Sequence, residues 1–216
     1  MCDDPAADAG RWLARQLRDA VRRRGQATLA VSGGGSAPPM FDVLLAEEVP
    51  WADVSVWQVD ERVAPDGHRE RNAEQLVDFP CRVELMPVTD DDLDAAAERY
   101  SLGLPERFDV VHLGLGDDGH TASWPPGHPV VDSERSCEVI GEFNGFRRMT
   151  LTPRVVNASQ ARLMLTFGES KAPMVQRWLQ GDAALPVARL RRADTWAMLD
   201  PAAAADLPEP TIGGPR

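Results

Sequence analysis

One short stretch of the chain collects most of the side chains that could transfer a proton. In the segment GLGDDGHTAS, residues 114–123, His120 follows the carboxylates Asp117 and Asp118 and precedes two hydroxyl side chains. An imidazole is partly neutral near pH 7, so it can accept a proton from a water molecule while a neighbouring carboxylate orients its ring. The glycines of this segment leave the backbone open to a ligand. The pattern predicts a site at this loop, and the alternative is a structural loop histidine that is satisfied by a backbone group.

The same glycines raise one alternative, a dinucleotide-binding loop. Gly114, Gly116 and Gly119 match the pattern G-x-G-x-x-G, which in a dinucleotide site must open a helix. Here Pro125 and Pro126 interrupt the chain almost at once, and proline does not continue a helix interior. We therefore expect no nicotinamide or flavin cofactor at this loop.

A second glycine-rich loop could bind an anion. The apolar residues 28–31 predict a buried strand, the loop follows directly, and a helical pattern begins after Pro39. Backbone N–H groups at such a junction point outward together, and the helix N-terminus adds partial positive charge. The loop lacks the Gly-Lys-Ser/Thr of a P-loop, which argues against a nucleoside triphosphate and leaves either a phosphate cradle or a flexible turn. The candidate phosphate ligands are Ser32, Gly33, Gly34, Gly35 and Ser36.

Charged residues stand at two further strand ends. Residues 54–59 predict a strand that runs into Asp60, Glu61 and Arg62, charges that lie either at a site or in solvent, since burying an unpaired charge is costly. Lys171 is the only lysine of the chain and follows another predicted strand at the start of a helix. Because the other basic side chains are arginines, this lysine is either a product of chance or a ligand of an anionic group.

Composition and charge exclude several classes of partner. The chain has 216 residues and a formal net charge of −11, so neither a nucleic acid nor an anionic membrane is an expected partner. No apolar run approaches membrane-spanning length, and the acidic segment MCDDPAADAG does not resemble an export signal, which predicts a cytoplasmic protein. Three widely spaced cysteines, Cys2, Cys81 and Cys137, fit neither a disulfide framework nor a zinc site. We expect reduced thiols and no bound metal.

Strand and helix patterns alternate along the whole chain. Periodicity predicts helices over residues 8–24, after residue 39, over residues 92–102 and after residue 171. Short apolar strands are predicted at residues 28–31, 54–59, 83–88, 110–113, 137–140, 148–152, 162–167 and 195–199. This alternation is typical of an α/β fold with a single doubly wound, mostly parallel sheet and helices on both faces, as in Rossmann-like proteins. We expect one domain over residues 1–216, weakly ordered from about residue 201.

The order of these motifs resembles the 6-phosphogluconolactonase family, within the wider group that includes glucosamine-6-phosphate isomerases. Five segments carry the resemblance in the same order along the chain: SGGGSAPP, DER, GLGDDGHTAS, RMTLT and GESKA. Isomerases of this group place a glutamate for ring opening after the histidine loop, where this chain has WPPG. The resemblance therefore implies a carboxylic ester hydrolase that opens 6-phospho-D-glucono-1,5-lactone to 6-phospho-D-gluconate in the oxidative pentose phosphate pathway. The alternatives are an amino-sugar-phosphate isomerase or a non-catalytic sugar-phosphate-binding domain.

The resemblance also implies how the substrate phosphate is held. Arg148 and Lys171 would grip the phosphate, and residues 32–36 would wrap it with backbone and hydroxyl donors. The chain has Ala37 where threonine is usual in the family, so one hydroxyl donor to the phosphate is either missing or supplied by Ser36.

For the chemical step, the resemblance implies that His120 activates a water molecule that attacks the lactone carbonyl. Asp60 or Asp118 would orient the imidazole or bind sugar hydroxyls. Arg62 would stabilise the developing negative charge or order the neighbouring acids. This scheme needs no metal or organic cofactor, and the lactonases of this type imply a monomer.

Overall fold

The computed structural model describes residues 3–208, which fold into helices and strands in alternation. Five α-helices lie in this part of the chain: α1 (Pro5–Arg24), α2 (Ala37–Ala46), α3 (Leu93–Gly103), α4 (Pro153–Ala158) and α5 (Ala172–Gln180). The same residues contain nine strands: β1 (Ala27–Val31), β2 (Val54–Gln58), β3 (Asp60–Arg62), β4 (Arg82–Glu84), β5 (Val110–Leu113), β6 (Cys137–Phe143), β7 (Phe146–Leu151), β8 (Ala161–Thr166) and β9 (Thr195–Leu199). Cys81 and Cys137 are free thiols, and Cys2 lies outside the described residues.

Six of the strands form a wholly parallel sheet in the spatial order β4-β2-β1-β5-β8-β9. Alternate side chains point to opposite faces: Leu29 and Val31 pack in the layer of α1 and α2, while Ala30 packs in the layer of α3 and α5. A strand covered on both faces is apolar throughout, which explains the short apolar runs of the sequence. The predicted α/β fold class, with a mostly parallel sheet between helices, is confirmed.

The chain winds outward from the middle of this sheet in two directions. From β1 it proceeds to β2 and β4 at one edge, and it then returns to β5 beside β1 before it proceeds to β8 and β9. The carboxyl ends of β1 and β5 therefore lie side by side where the winding reverses, which is where open α/β sheets bind ligands. The loops that follow these two strands are the glycine-rich segments, residues 32–36 and 114–123.

The strands β3, β7 and β6 form a separate antiparallel sheet. The sequence predicts a single sheet, and the structure differs because a tight turn joins β6 to β7. Asn144 and Gly145 have φ angles of 51° and 81°, the left-handed backbone that two-residue hairpin turns require. The hairpin pairs β6 antiparallel to β7, and β7 pairs on its other side with β3, so these three strands form a sheet of their own. Within it, Arg62 of β3 lies opposite Arg148 of β7.

Helix α1 begins earlier than the predicted residue 8, because the side chain of Asp4 accepts a hydrogen bond from the N–H of Ala7 at 2.9 Å and caps the first turn. Gly25, with a φ of 76°, ends the helix in a left-handed conformation that glycine adopts readily. No helix within residues 3–208 combines the length and the apolar character needed to cross a bilayer.

The end of the described chain packs against the core. The sequence predicts weak order from residue 201, but Ala203 and Ala204 are buried in the main hydrophobic cluster. The carboxylate of Asp200 accepts a hydrogen bond from the N–H of Ala203 at 2.7 Å and stabilises the turn that these residues form. Small alanine side chains fit closely against the core, which an alanine-rich composition does not reveal by itself. The remainder of the predicted tail, residues 209–216, lies outside the described residues.

Candidate active site

A cavity of about 470 Å³ lies at the carboxyl ends of β1 and β5. Both glycine-rich loops line it, and the small antiparallel sheet contributes side chains from β3 and β7. The structure therefore brings the predicted site residues together, with the exception that Asp118 does not line the cavity itself. The predicted residues on the cavity wall are Ser32, Gly33, Gly34, Gly35, Ser36, Asp60, Arg62, His120, Arg148 and Lys171.

The histidine loop depends on glycine at two positions. A Cβ atom at Gly116 would lie 2.0 Å from Nδ1 of His120, so any larger residue would displace the imidazole. Gly119 has a φ of 83°, and a Cβ atom there would lie 2.7 Å from the side chain of Leu185. The N–H of Gly116 donates to the carbonyl of His120 at 2.8 Å and closes the loop. These glycines thus allow the backbone to fold tightly around the imidazole, and no helix follows them directly.

Asp118 supports the ring of His120. Its carboxylate contacts Nδ1 of the imidazole and accepts the backbone N–H of His120 at 3.1 Å. Burial opposes ionisation of the Asp118 carboxyl, but the hydrogen bonds from His120 outweigh it, and the pKa of Asp118 is lowered. An ionised carboxylate accepts hydrogen bonds and donates none, so Nδ1 carries the proton and Nε2 is left as the basic nitrogen.

Asp60 and Arg148 form a buried pair on the wall made by β3 and β7. Oδ2 of Asp60 lies 4.0 Å from Nη1 of Arg148, and each side chain is only 7% exposed. The hydroxyl of Ser123 donates to the same oxygen at 2.7 Å, which links Asp60 to the histidine loop. Burial lowers the pKa of the Arg148 guanidinium, and the charge of Asp60 opposes this shift. Arg148 is therefore a poorly solvated cation, which gains strongly from contact with an additional anion.

Arg62 is held by uncharged partners. Its Nη1 donates to the side-chain oxygen of Asn72 at 2.8 Å and to the carbonyl of Glu70 at 2.6 Å. Asn72 also lines the cavity and donates through Nδ2 to the carbonyl of Asp60 at 2.8 Å. A Cβ atom at Gly33 would lie 2.2 Å from the side-chain oxygen of Asn72, so this side chain also touches the loop of residues 32–36. The sequence did not indicate Asn72, since a single asparagine in a charged loop carries no recognisable signal.

Glu61, the middle residue of the DER motif, does not line the cavity. It is fully buried, and its carboxylate accepts the side-chain amide of Gln58 at 2.7 Å and the backbone N–H groups of Asn72 and Ala73 at 2.7 Å and 2.9 Å. It also forms an ion pair with Arg71 at 3.0 Å. Of the two acids in the motif, only Asp60 faces the cavity, while Glu61 fixes the loop that carries Asn72.

The loop of residues 32–36 presents unused donors to the cavity. Within residues 3–208, the N–H groups of Gly33, Gly35 and Ser36 donate to no protein group, and the buried hydroxyl of Ser32 has no partner. Ala37 is fully buried and does not line the cavity, whereas Ser36 does. Groups of free N–H donors at a helix N-terminus suit a phosphate, and Ser36 is placed to add a hydroxyl.

Lys171 reaches the cavity from the short 3₁₀ helix Glu169–Lys171, which follows β8. Its Nζ lies 2.7 Å from Oδ1 of Asp117, and the hydroxyl of Ser170 donates to the same oxygen at 3.2 Å. The hydrogen bond from Lys171 lowers the pKa of Asp117. Because the side chain of Asp117 is 70% exposed, a phosphate group could replace it as the partner of Lys171 at little cost.

Some lining residues were absent from the predicted set. Thr166 and Phe167 end or follow strand β8, and their place at the carboxyl end of a parallel strand is the signal that could have indicated them. Asp117 lies inside the segment GLGDDGHTAS, but nothing in the sequence tells which of two adjacent acids contacts the histidine. No three histidine, cysteine, aspartate or glutamate side chains in residues 3–208 are arranged to hold a metal ion.

Comparison with known proteins identifies the family. The model of the family described as glucosamine-6-phosphate isomerases/6-phosphogluconolactonase matches residues 3–198, so the chain belongs to this family. A 6-phosphogluconolactonase of Streptomyces coelicolor is 34% identical, and the match covers 94% of this chain and 90% of that protein. A 6-phosphogluconolactonase of Pseudomonas putida is 37% identical over 82% of this chain and 80% of that protein. The resemblance predicted from the five motifs is confirmed.

Solved structures share the fold. The crystal structure of a 6-phosphogluconolactonase from Shewanella baltica superposes with a TM-score of 0.83 at 25% identity and covers 92% of this chain and 95% of that one. A monomeric glucosamine-6-phosphate deaminase superposes with a TM-score of 0.80 at 21% identity, covering 94% and 96% of the two chains. At 21% identity this likeness concerns the fold alone. Since one fold carries both activities, the residues of the cavity must decide between them.

Proposed function

We propose that this protein hydrolyses 6-phospho-D-glucono-1,5-lactone to 6-phospho-D-gluconate. The observation that carries the proposal is the contact of His120 with an ionised Asp118 beside a cavity lined by three cations, Arg62, Arg148 and Lys171. Such a cavity contains a base that can accept a proton from water and positive charges that can bind an anionic substrate. The two relatives at 34% and 37% identity, both named 6-phosphogluconolactonases, support the same activity.

The substrate phosphate binds between the loop of residues 32–36 and Lys171. The free N–H groups of the loop and the hydroxyls of Ser32 and Ser36 supply donors to the phosphate oxygens. Lys171 exchanges the exposed carboxylate of Asp117 for the phosphate, and Arg148 adds a second positive charge. This arrangement anchors one end of the substrate and leaves its lactone end to the histidine loop.

His120 acts as the general base through Nε2. It removes a proton from a water molecule while the water oxygen forms a bond to C1 of the lactone, and the carbonyl oxygen becomes an oxyanion that Arg62 stabilises. When the oxyanion collapses, the bond between C1 and the ring oxygen breaks, and the imidazolium returns its proton to that oxygen. The product acid then loses a proton to solvent. Asp118 orients the imidazole throughout, and Asp60 accepts hydrogen bonds from sugar hydroxyls.

Isomerisation of amino-sugar phosphates, the other activity of the family, fits the cavity less well. Within residues 3–208 no glutamate lines the cavity, so a glutamate for ring opening is missing there. The segment after the histidine loop is committed to the core: Trp124 is fully buried, and its indole N–H donates to the carbonyl of Leu151 at 2.8 Å. A domain that only binds sugar phosphates would have no use for an imidazole paired with a carboxylate.

We also infer the setting of the reaction. The enzyme acts as a monomer in the cytoplasm, in the oxidative pentose phosphate pathway, and uses no cofactor. The net charge of −11 supports the absence of nucleic acid and anionic membranes as partners.

The first experiment measures acid release from freshly prepared 6-phosphogluconolactone over the spontaneous rate. We expect the wild type to accelerate hydrolysis and His120→Ala to lower kcat about a hundredfold to ten-thousandfold, the usual loss for a general base. His68→Ala, which removes a histidine outside the cavity, is the matched control and should retain full activity. An inactive wild type would refute the lactonase proposal, and a fully active His120→Ala would refute the base.

The anchor is tested with two substrates. Lys171→Ala should raise KM for the phosphorylated lactone and leave hydrolysis of glucono-1,5-lactone, which lacks the phosphate, unchanged. Arg69→Ala removes a positive charge whose side chain is 91% exposed and should change neither value. Equal effects of Lys171→Ala on both lactones would contradict the assignment of Lys171 to the phosphate.

A further inference from the structure

Phe143 touches two of the site residues without lining the cavity. Its ring lies 4.9 Å from the ring of His120, centroid to centroid, at an interplanar angle of 88°. The guanidinium carbon of Arg148 lies 5.3 Å from the centroid of the same ring, and Nε of Arg148 donates to the backbone carbonyl of Phe143 at 2.9 Å. One residue outside the cavity lining thus contacts both the imidazole and a cation of the cavity.

The β6–β7 hairpin positions the ring of Phe143. Phe143 is the last residue of β6, and it pairs with Phe146 across the turn of Asn144 and Gly145. The register of the two strands shifts between Ile140 and Phe143. Such an irregularity bends a strand and re-aims its side chains, and irregularities of this kind occur next to active sites. The hairpin therefore directs Phe143 towards the histidine loop.

We propose that Phe143 is a positioning residue for the lactonase reaction, a role that rests on the function proposed above. Its ring restricts rotation of the His120 imidazole, so that Nδ1 stays on Asp118 and Nε2 faces the water. Its ring face and its carbonyl hold the guanidinium of Arg148 against the cavity. The base and one phosphate ligand are thereby kept at a constant separation by a single side chain.

General energetics set the size of the effect. An edge-to-face aromatic contact contributes enough to change a rate about threefold to tenfold when it is lost. A cation–π contact at a partly exposed place corresponds to a change in binding of about threefold. Phe143→Leu should therefore lower kcat about threefold to tenfold through His120 and raise KM about threefold through Arg148.

The chain offers a matched control in the same hairpin. Phe146 also makes an edge-to-face contact with a histidine, since its ring lies 5.7 Å from that of His68 at 69°. Neither residue lines the cavity. Phe146→Leu therefore removes the same group from the same turn and should change kcat and KM less than twofold. Phe143→Tyr keeps the ring and should restore kcat to within about twofold of the wild type.

A measurement that needs no turnover separates this proposal from the lactonase assignment. Nitrogen-15 spectra of histidine-labelled protein report which ring nitrogen carries the proton, and His120→Ala identifies the signals of His120. We expect the wild type to hold His120 in the Nδ1–H form, Phe143→Leu to populate both forms, and Phe146→Leu to match the wild type. Thermal unfolding confirms that each variant is folded, and Phe143→Met replaces Phe143→Leu if the leucine variant does not fold.

The outcomes are distinct. Loss of kcat together with a mixed protonation pattern in Phe143→Leu, with neither change in Phe146→Leu, supports the proposal. A His120 pattern in Phe143→Leu identical to the wild type overturns it, and so do equal effects of the two leucine variants. If the wild type hydrolyses no lactone, the proposed function fails, while the spectra still decide whether Phe143 positions His120.

Discussion

Glu61→Gln tests whether the part of the cavity wall that contains Arg62 and Asn72 is stabilised by the buried carboxylate of Glu61. Oε1 of Glu61 accepts the N–H groups of Arg62 and Asn72 at 2.8 Å and 2.7 Å. Oε2 accepts hydrogen bonds from Gln58 and Ala73, and it forms an ion pair with the guanidinium of Arg71 at 3.0 Å. A glutamine can keep the first pair with its carbonyl oxygen, but its NH₂ group then faces three donors. The substitution therefore removes one side of a buried network and retains its shape.

The magnitude follows from those three contacts. A buried donor left without a partner costs about 1–3 kcal/mol, and breaking a buried ion pair costs about 3–5 kcal/mol. Arg71 is only 4% exposed, so water does not compensate its lost partner, although Asp66 at 3.0 Å remains. We expect Glu61→Gln to lower the free energy of unfolding by about 3–5 kcal/mol. Since Glu61 does not line the cavity, kcat of the folded variant should stay within about threefold of the wild type.

Urea unfolding followed by tryptophan fluorescence measures this free energy. Glu74→Gln is the control, because Glu74 is an exposed glutamate in the 3₁₀ helix Asn72–Gln75 that Glu61 caps, and surface changes of this kind stay within about 0.5 kcal/mol. A loss below about 1 kcal/mol in Glu61→Gln, or an equal loss in Glu74→Gln, would refute the reasoning. A large loss of kcat in a variant shown to be folded would instead indicate that Glu61 takes part in the reaction.

Two further predictions concern the strands and loop beneath the cavity. Gly116→Ala should lower kcat of lactone hydrolysis at least about a hundredfold with little loss of stability, because the new Cβ atom would displace His120. Gly141→Ala is the control and should behave as the wild type, because a Cβ atom there meets nothing within 4 Å. Burial lowers the pKa of the His112 imidazole from 6.5 to about 4. Between pH 6.5 and pH 4 the unfolded chain therefore binds a proton that the native protein does not bind. The free energy of unfolding falls as the pH drops through this interval. Urea unfolding at pH 7 and pH 4 should show His112→Leu losing about 3 kcal/mol less than the wild type over this interval, and equal losses would contradict the assignment.

The inner strands of the parallel sheet could be predicted from the sequence because they are covered on both faces. Strands β1, β5 and β8 are short apolar runs for this reason, and their predicted positions agree closely with the observed ones. The edge strand β4 is shorter than the predicted 83–88. The N–H of Met86 donates to the side chain of Gln58 at 2.6 Å instead of to a strand, so the ladder stops at Glu84. Side-chain competition of this kind cannot be read from an apolar pattern.

The antiparallel sheet was predictable in part. Asn-Gly between alternating residues is a strong hairpin signal, and Asn144 with Gly145 would have joined β6 to β7. The position of Phe143 against His120 was not predictable, because it depends on a register shift and on two loops distant in sequence meeting in space. In the same way, Asp117 and Asp118 are adjacent in sequence, yet one contacts Lys171 and the other His120. Only the folded loop distinguishes them.

The three cavity cations differ in their partners, and this difference supports the roles proposed for them. Lys171 lies 2.7 Å from Asp117 and Arg148 lies 4.0 Å from Asp60, so each is balanced by a carboxylate until an anion arrives. Arg62 forms no ion pair within residues 3–208, and its side chain is held by the uncharged groups of Asn72 and Glu70. A guanidinium that forms no ion pair responds most strongly to charge that develops only in the transition state. The geometry therefore favours Lys171 and Arg148 for the permanent charge of the phosphate, and Arg62 for the transient charge of the oxyanion.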